Sequence, residues 1–373
     1  MKKFLIKYLS LMMLVLTLSG CNVERTTIAY TVYPIGFLVN RLTGGSVTAE
    51  SVQDEAIVQR ATVKSDWQNI LSRAQVFLHI GQLEPYYSMY SADFNTMVPN
   101  QIDLSVLNAV YDFRRYTELI TDGEITYLES PYYRGDAFNL IDTDSKDLYL
   151  WMDPIAMLSM AKDIRSWLIS TYPDERHNIE ENFETLENDL INLDAQYQAL
   201  ATANLVNNRE IRFVSMTASF GNWQKTYGFQ VYPIILSKYG ALPNEEQLAL
   251  IEKRIQEDNV RYIVYEENMT EDMVELFNRV QEDLSLTRVE LSNLSSLTGG
   301  EESSGKDYLS IMYENLAVLE TMAVARSTNE TGEPAEIVAE EETPPEQALT
   351  YEEAQATPEP ENTEESDTET NAG

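Results

Sequence analysis

The chain has 373 residues, with 61 acidic and 26 basic side chains and a formal net charge of −35 at pH 7. A surface this negative repels a phosphate backbone, which argues against nucleic acid as a partner. Cys21 is the only cysteine in the sequence, so an intramolecular disulfide is excluded.

The N-terminal residues have the pattern of an export signal. Lys2, Lys3 and Lys7 precede the apolar run 9–18, which is followed by Ser19, Gly20 and Cys21. A basic start, a short apolar core and small residues before the cleavage point are typical of signal peptides, and this run is too short to span a bilayer comfortably. We predict a signal peptide over residues 1–20.

Alternating strand and helix patterns follow the signal. Short β-prone runs lie over 27–32 and 76–80, and the second is a continuous apolar run of the kind found in buried parallel strands. Apolar residues at helical spacing predict one helix through Leu38 and further helices over 66–74 and 155–168. The first half therefore begins as an α/β arrangement.

The segment from Asp174 to about Leu200 has the pattern of one long helix. Pro173 is tolerated only in a first turn, so it marks the start. Acidic residues fill the face opposite an apolar stripe. That stripe consists of Ile179, Phe183, Leu186, Leu190, Leu193, Tyr197 and Leu200. At roughly 40 Å, such a helix either packs on one core as an ordinary amphipathic helix or ties two lobes together.

The second half repeats the alternation. The patterns predict strands over 211–215, 230–235 and 261–265, and helices over 223–227, 245–258 and 272–282. Gly228 is expected to end the first of these helices. Repeated strand and helix units predict an α/β fold with two lobes and parallel sheets.

Residues 327–373 differ from the body in composition. They have fifteen acids, no Lys or Arg and no apolar periodicity, which predicts a disordered acidic tail. Without this tail and the three signal lysines, the body keeps a charge of about −23. We predict an N-terminal lobe over 21–173, a linking helix over 174–205 and a C-terminal lobe over 206–326.

Several motifs follow one another in the order of a known family. They are Tyr30-Thr31-Val32-Tyr33-Pro34-Ile35, Gly81-Gln82-Leu83-Glu84-Pro85-Tyr86, Trp151-Met152-Asp153-Pro154, Phe220-Gly221, Tyr227-Gly228-Phe229, Ile263-Val264-Tyr265-Glu266 and Asp307-Tyr308-Leu309. Over about residues 26–322 the chain resembles the zinc and manganese solute-binding lipoproteins of ABC transporters. The resemblance implies two α/β lobes joined by one long rigid helix, with a cleft between the lobes.

The resemblance also implies a location and partners. Cys21 follows Leu-Ser-Gly as in a bacterial lipoprotein signal, so it is expected to carry lipid and to hold the protein on the outer face of the cell membrane. An ABC permease is the implied protein partner. The expected ligand is a small solute or a cation.

The sequence departs from the family at the metal ligands. The family uses three histidines and one Asp or Glu, a donor set that suits zinc or manganese. Here the four corresponding positions hold Val58 or Gln59, Tyr149, Thr217 and Ser292. None of these is a strong zinc donor, so we expect no metal ligands and no tight zinc or manganese binding.

The two histidines of the chain do not replace the missing metal ligands. His79 lies inside an apolar run, where a hydrogen-bonded core imidazole is expected. His177 lies in the first turn of the long helix, where it faces acids and solvent without a second ligand at helical spacing.

Six residues line the cleft according to the resemblance. They are Tyr33, Tyr149, Trp151, Thr217, Glu266 and Ser292. Hydroxyl groups, aromatic faces and one carboxylate favour a small polar organic solute over a hard cation, which needs several acidic or carbonyl oxygens. We expect a solute-binding lipoprotein of an ABC importer with a degenerate metal site. The alternative is a non-transport surface scaffold or adhesion lipoprotein, and no arrangement of nucleophile, base or paired carboxylates indicates an enzyme.

Overall fold

Two four-stranded sheets organise the chain in the computed structural model, which describes residues 28–54, 56–106, 109–121 and 124–326. The predicted signal peptide, its cysteine and the predicted C-terminal tail lie outside the described residues.

The N-terminal lobe is built on a parallel sheet. Its elements are β1 (Ile28–Tyr30), α1 (Tyr33–Thr43), β2 (Ala49–Ser51), α2 (Trp67–Arg73), β3 (Val76–His79), α3 (Tyr87–Met97) and β4 (Gln101–Asp103). The strand order is β2-β1-β3-β4, and all neighbours run parallel. Ile28, Val76 and Phe77 of the two central strands are fully buried. Central parallel strands are covered on both faces, which is why β3 is apolar almost throughout.

A β-hairpin lies between β4 and the long helix in the chain. It consists of β5 (Arg115–Thr121) and β6 (Glu124–Ser130), which pair antiparallel. Arg115 donates a hydrogen bond of 2.8 Å to the Tyr232 hydroxyl and forms an ion pair with Asp258. The sequence pattern missed this hairpin because its strands lack an apolar alternation.

The Trp-Met-Asp-Pro motif starts α4 (Pro154–Thr171). Asp153 is its N-cap, and its Oδ1 accepts hydrogen bonds from the backbone N–H groups of Ile155 (2.8 Å) and Ala156 (3.2 Å). Proline is favoured at the first helical position because its missing N–H would be unpaired there in any case. The motif therefore sets the direction of α4 relative to the residues before it.

The long helix α5 spans Arg176–Val206, with 31 residues and a length of about 46 Å. A 3₁₀ turn over Pro173–Glu175 precedes it, so the helix starts two residues later than expected and also ends later. The predicted apolar stripe is buried from Ile179 to Tyr197, and Leu200 is half-buried.

Both lobes share this helix. Asp189 forms an ion pair of 2.5 Å with Arg41 of α1. Further along, the Tyr197 hydroxyl donates a 2.8 Å hydrogen bond to the carbonyl of Met312, and the Tyr227 hydroxyl donates one of 2.9 Å to Asp194. The interpretation of α5 as a link between lobes is therefore confirmed.

The C-terminal lobe repeats the parallel sheet. Its elements are β7 (Arg209–Glu210), β8 (Arg212–Thr217), α6 (Gly221–Tyr227), β9 (Gln230–Ile235), α7 (Glu245–Glu257), β10 (Tyr262–Tyr265), α8 (Glu271–Asp283), β11 (Thr287–Glu290), α9 (Gly299–Ser303), α10 (Tyr308–Met322) and β12 (Val324–Ala325). The main sheet has the order β11-β10-β8-β9, with parallel neighbours, and β7 pairs antiparallel with β12. Gly228 ends α6 with a φ of 71°, as predicted.

Candidate functional site

The predicted cleft residues lie where strands of the second sheet end, close to a short turn from the first lobe. Thr217 is the last residue of β8, and Glu266 directly follows β10. Tyr149 and Trp151 come from the 3₁₀ turn before α4. Carboxyl ends of parallel strands meet at one edge of a sheet, and solutes bind at such edges in α/β folds.

Glu266 is the centre of a buried hydrogen-bond network. Its Oε1 accepts from the Thr217 N–H (2.9 Å), and its Oε2 accepts from the Thr217 hydroxyl (2.7 Å) and from Nδ2 of Asn293 (2.9 Å). Glu266 and Thr217 have no exposed surface. Burial raises the pKa of Glu266, while the hydrogen bonds from Thr217 and Asn293 act in the opposite direction.

The first lobe contributes its own hydrogen-bonded pair to this network. Gln59 donates a 2.6 Å hydrogen bond through Nε2 to the Tyr149 hydroxyl. The Tyr149 hydroxyl adjoins that of Ser219, and the Ser219 Oγ lies 2.5 Å from the Thr217 Oγ1. Burial holds the pKa of Tyr149 well above its usual range, so its phenol is neutral at physiological pH.

Beside the network, Trp151 forms two hydrogen bonds with residues of the second lobe. Its indole Nε1 donates a 2.7 Å hydrogen bond to the backbone carbonyl of Asn293. Its own carbonyl accepts one of 2.6 Å from the Tyr308 hydroxyl. The Trp151 side chain is fully buried, and its ring centroid lies 5.2 Å from that of Tyr149.

The structure does not bring two of the predicted cleft residues into the network. Ser292 turns away, because its Oγ accepts a hydrogen bond from the Leu294 N–H, and Asn293 takes the position beside Glu266. Leu294 has a φ of 57°, in the left-handed region that a leucine rarely adopts. Tyr33 packs its ring against Phe37 instead. Between the two residues considered for the first ligand position, the structure places the Gln59 side chain at the network.

Asp147 is a buried group that the sequence patterns did not single out. Its Oδ1 accepts hydrogen bonds from the Tyr149 N–H (3.1 Å) and from Nδ2 of Asn222 (3.0 Å) in α6. Burial raises the pKa of Asp147 to about 7. This carboxyl group orients the turn that contains Tyr149, and its position two residues before Tyr149 was its only signal in the sequence.

The histidines lie apart from this network. The His79 ring is buried, with Nδ1 3.0 Å from the Gly81 carbonyl and Nε2 3.1 Å from the Tyr87 hydroxyl, and burial lowers its pKa. His177 is exposed on the long helix beside Glu181. Both ring nitrogens of His79 already have partners, so that side chain is a structural group.

The network does not have the donors of a zinc site. Zinc prefers imidazole, thiolate and carboxylate ligands, whereas Gln59 and Asn293 offer amides and Tyr149 and Thr217 offer neutral hydroxyl groups. Glu266 is the strong donor, and its oxygens already accept three hydrogen bonds. Among the described residues, no group of three or more His, Cys, Asp or Glu side chains is placed to hold a metal ion.

Open space lies beside the network, not within it. A cavity of about 460 Å³, here called the interlobe cavity, is lined by residues 81–85 and Ser105 of the first lobe, by residues 143–146, and by Lys238 and Tyr239 of the second lobe. A second space of about 10 Å³, here called the neck, shares several of these walls and reaches Gln59 and Tyr149. The neck has room for about one water molecule.

Comparison with known proteins assigns the architecture to a family. A family model described as ZnuA, the zinc-uptake complex component A of the periplasm, matches residues 28–322. In the part of the chain that the structure describes, no helix has both the length and the apolarity needed to cross a bilayer.

Curated relatives are named as zinc-binding or zinc-uptake proteins. The zinc-binding protein AdcA of Streptococcus pyogenes is 28% identical over 173 residues, which cover 46% of this chain and 32% of that protein. The high-affinity zinc uptake system protein ZnuA of Bacillus subtilis is 25% identical over 181 residues, covering 48% of this chain and 54% of that protein. The match thus spans about a third of the length of AdcA and about half of that of ZnuA.

Solved structures share the fold at low sequence identity. The Zn(II)-bound ZnuA-like domain of Streptococcus pneumoniae AdcA has a TM-score of 0.57 and 18% identity, covering 80% of this chain and 98% of that chain. The periplasmic zinc-binding protein TroA of Treponema pallidum has a TM-score of 0.61 and 15% identity, with coverages of 80% and 99%. The laminin-binding protein Lmb of Streptococcus agalactiae has a TM-score of 0.61 and 17% identity, with the same coverages.

Proposed function

We propose, from the premise that this chain belongs to the ZnuA family of periplasmic zinc-uptake components, that it is a solute-binding lipoprotein of an ABC importer whose metal position has been rebuilt. The observation that carries this proposal is the network around Glu266. Amide and hydroxyl groups fill the positions where the family has metal ligands, and they form hydrogen bonds with one another and with Glu266. The protein is not an enzyme.

The rebuilt position has a physical consequence for metal affinity. A zinc ion at this place would have to displace three hydrogen bonds to Glu266 and would gain neutral oxygens in return. Ionising Tyr149 would supply a better ligand, but burial raises its pKa well above the usual value. The site therefore favours its internal hydrogen bonds over a metal.

Calorimetry tests this part of the proposal. We expect that zinc and manganese added to the chelator-treated full chain show no submicromolar one-to-one binding, because the network holds one strong donor. Binding of that strength, abolished by Tyr149→Phe together with Glu266→Gln, would show that the network does coordinate metal. A relative with an intact metal site, such as AdcA, serves as the positive control.

The second part of the proposal concerns the membrane. One relative is the zinc-binding lipoprotein AdcA of Streptococcus pneumoniae, and Cys21 follows Leu-Ser-Gly in this chain. We propose that the lipid on Cys21 holds the protein on the extracytoplasmic face of the cell membrane, where an ABC permease receives its solute.

Removing the cysteine tests the anchor. We expect Cys21→Ala to move the protein from the membrane fraction to the medium or the soluble fraction, since the thiol that carries the lipid is lost. Asn22→Ala changes the adjacent residue and leaves the thiol intact, so it should stay with the membrane. Retention of Cys21→Ala after a high-salt wash would contradict the lipid anchor.

A further inference from the structure

The charged side chains on the wall of the interlobe cavity are not all paired. The Lys238 ammonium forms an ion pair of 3.0 Å with Asp142, and the Lys146 ammonium pairs with Asp112. Asp144 lines both the cavity and the neck, yet it makes no hydrogen bond and no ion pair within the described ranges. Asp144 is therefore a carboxylate of the cavity wall without a close partner.

The surroundings of Asp144 make this carboxylate costly to leave unpaired. It is half-buried, and burial raises its pKa to about 6; the charge of Lys238 opposes that rise and the charge of Asp142 adds to it. At neutral pH the group is mostly ionised, so it carries a partly desolvated negative charge. A cation that entered the cavity would compensate that charge.

A second unsatisfied acceptor lies at the end of the neck. Gln59 uses its Nε2 for Tyr149, but its Oε1 is buried and has no hydrogen-bond partner among the described residues. Glu84 also borders the cavity, but both its carboxylate oxygens are shielded from solvent, and burial raises its pKa to about 7. The acceptors of Asp144 and Gln59 that border open space therefore suit a positively charged group with several N–H donors.

We propose that the interlobe cavity binds a small organic solute with a primary ammonium group, held by the Asp144 carboxylate. This inference rests on the proposed function, because it takes the chain to be a solute carrier and names the chemical class of the solute. A primary ammonium has three N–H donors, so one group can donate to Asp144 and also to a water in the neck. That water can in turn donate a hydrogen bond to the Gln59 side-chain carbonyl.

The dimensions and charge of the body support this class of solute. About 460 Å³ lies within the usual range for small-molecule sites, while it is far larger than a bare ion requires. The walls come from both lobes, so a solute there contacts residues 81–85 on one side and Lys238 and Tyr239 on the other. The net charge of about −23 on the body also raises the local concentration of cations.

A matched pair of probes tests the inference on the full chain. Diaminobutane and butanediol have the same number of carbons, but only the first carries ammonium groups. By calorimetry, we expect diaminobutane to bind with submillimolar affinity and butanediol to show no binding. We expect Asp144→Asn to weaken diaminobutane binding by about 10- to 100-fold, which is the range for losing a hydrogen bond to a charged group.

A distant charge change provides the control. Asp174→Asn removes the same charge from an exposed position before the long helix, so it should leave the affinity for diaminobutane unchanged. The inference is overturned if diaminobutane does not bind, if butanediol binds equally well, or if Asp144→Asn and Asp174→Asn weaken binding equally. If neither diaminobutane nor zinc binds, only the amine site is refuted. If zinc binds with submicromolar affinity, the proposed function is refuted.

Discussion

Three histidines placed at Gln59, Tyr149 and Thr217 should turn the network into a tight zinc site. The structure brings these three side chains into one hydrogen-bonded group with Glu266, so the substitutions would create a set of three imidazoles and one carboxylate. We expect zinc affinity to rise by roughly a thousandfold or more over the unsubstituted chain, because structural zinc sites derive most of their affinity from such donors.

The measurement is calorimetry with zinc on the triple variant, after circular dichroism has shown that it is folded. Adding Glu266→Gln to the triple variant is the control, and it should weaken binding because the carboxylate is lost. If the folded triple variant bound zinc no better than the unsubstituted chain, then these positions would not converge on a metal-sized site.

Trp151→Ala should have the largest effect on stability. The indole is fully buried, and its Nε1 joins the first lobe to the Asn293 carbonyl of the second. Replacing a buried Trp by Ala leaves a cavity and costs about 3–5 kcal/mol. Trp151→Phe retains much of the ring volume and loses the hydrogen bond, so it should cost about 1–2 kcal/mol.

Urea unfolding of the full chain measures both variants against the unsubstituted protein. The order expected for the free energy of unfolding is unsubstituted, then Trp151→Phe, then Trp151→Ala. If Trp151→Ala stayed within about 1 kcal/mol of the unsubstituted chain, the indole would not be a main contact between the lobes.

The sequence predicted the helices and strands whose buried faces produce an apolar run or an apolar stripe. β3 is covered on both faces, so its residues form a continuous apolar run, and the long helix shows a stripe because one side faces both lobes. β2, β4 and β11 were missed. They lie at or near sheet edges, where backbone pairing defines the strand and side chains such as Thr287 and Arg288 are exposed.

The sequence motifs grouped some members of the hydrogen-bond network around Glu266 but not all of them. The motifs placed Tyr149, Thr217 and Glu266 together, and the structure joins them directly or through Ser219. They also placed Ser292 at the fourth position, one residue from the side chain that is there. In the structure the Ser292 hydroxyl accepts a hydrogen bond from the Leu294 N–H, and the adjacent Asn293 donates to Glu266 instead. Leu294 has a φ of 57°, and a left-handed conformation in a leucine has no sequence signature.

The shared helix α5 also determines how the body loses its structure. Its apolar stripe belongs to one continuous hydrophobic core that contains residues of both lobes, including Leu38 of the first lobe and Met312 of the second. If either lobe melted alone, the other would be left with part of that stripe exposed to water. The two lobes should therefore denature together in one cooperative transition, although each has its own sheet.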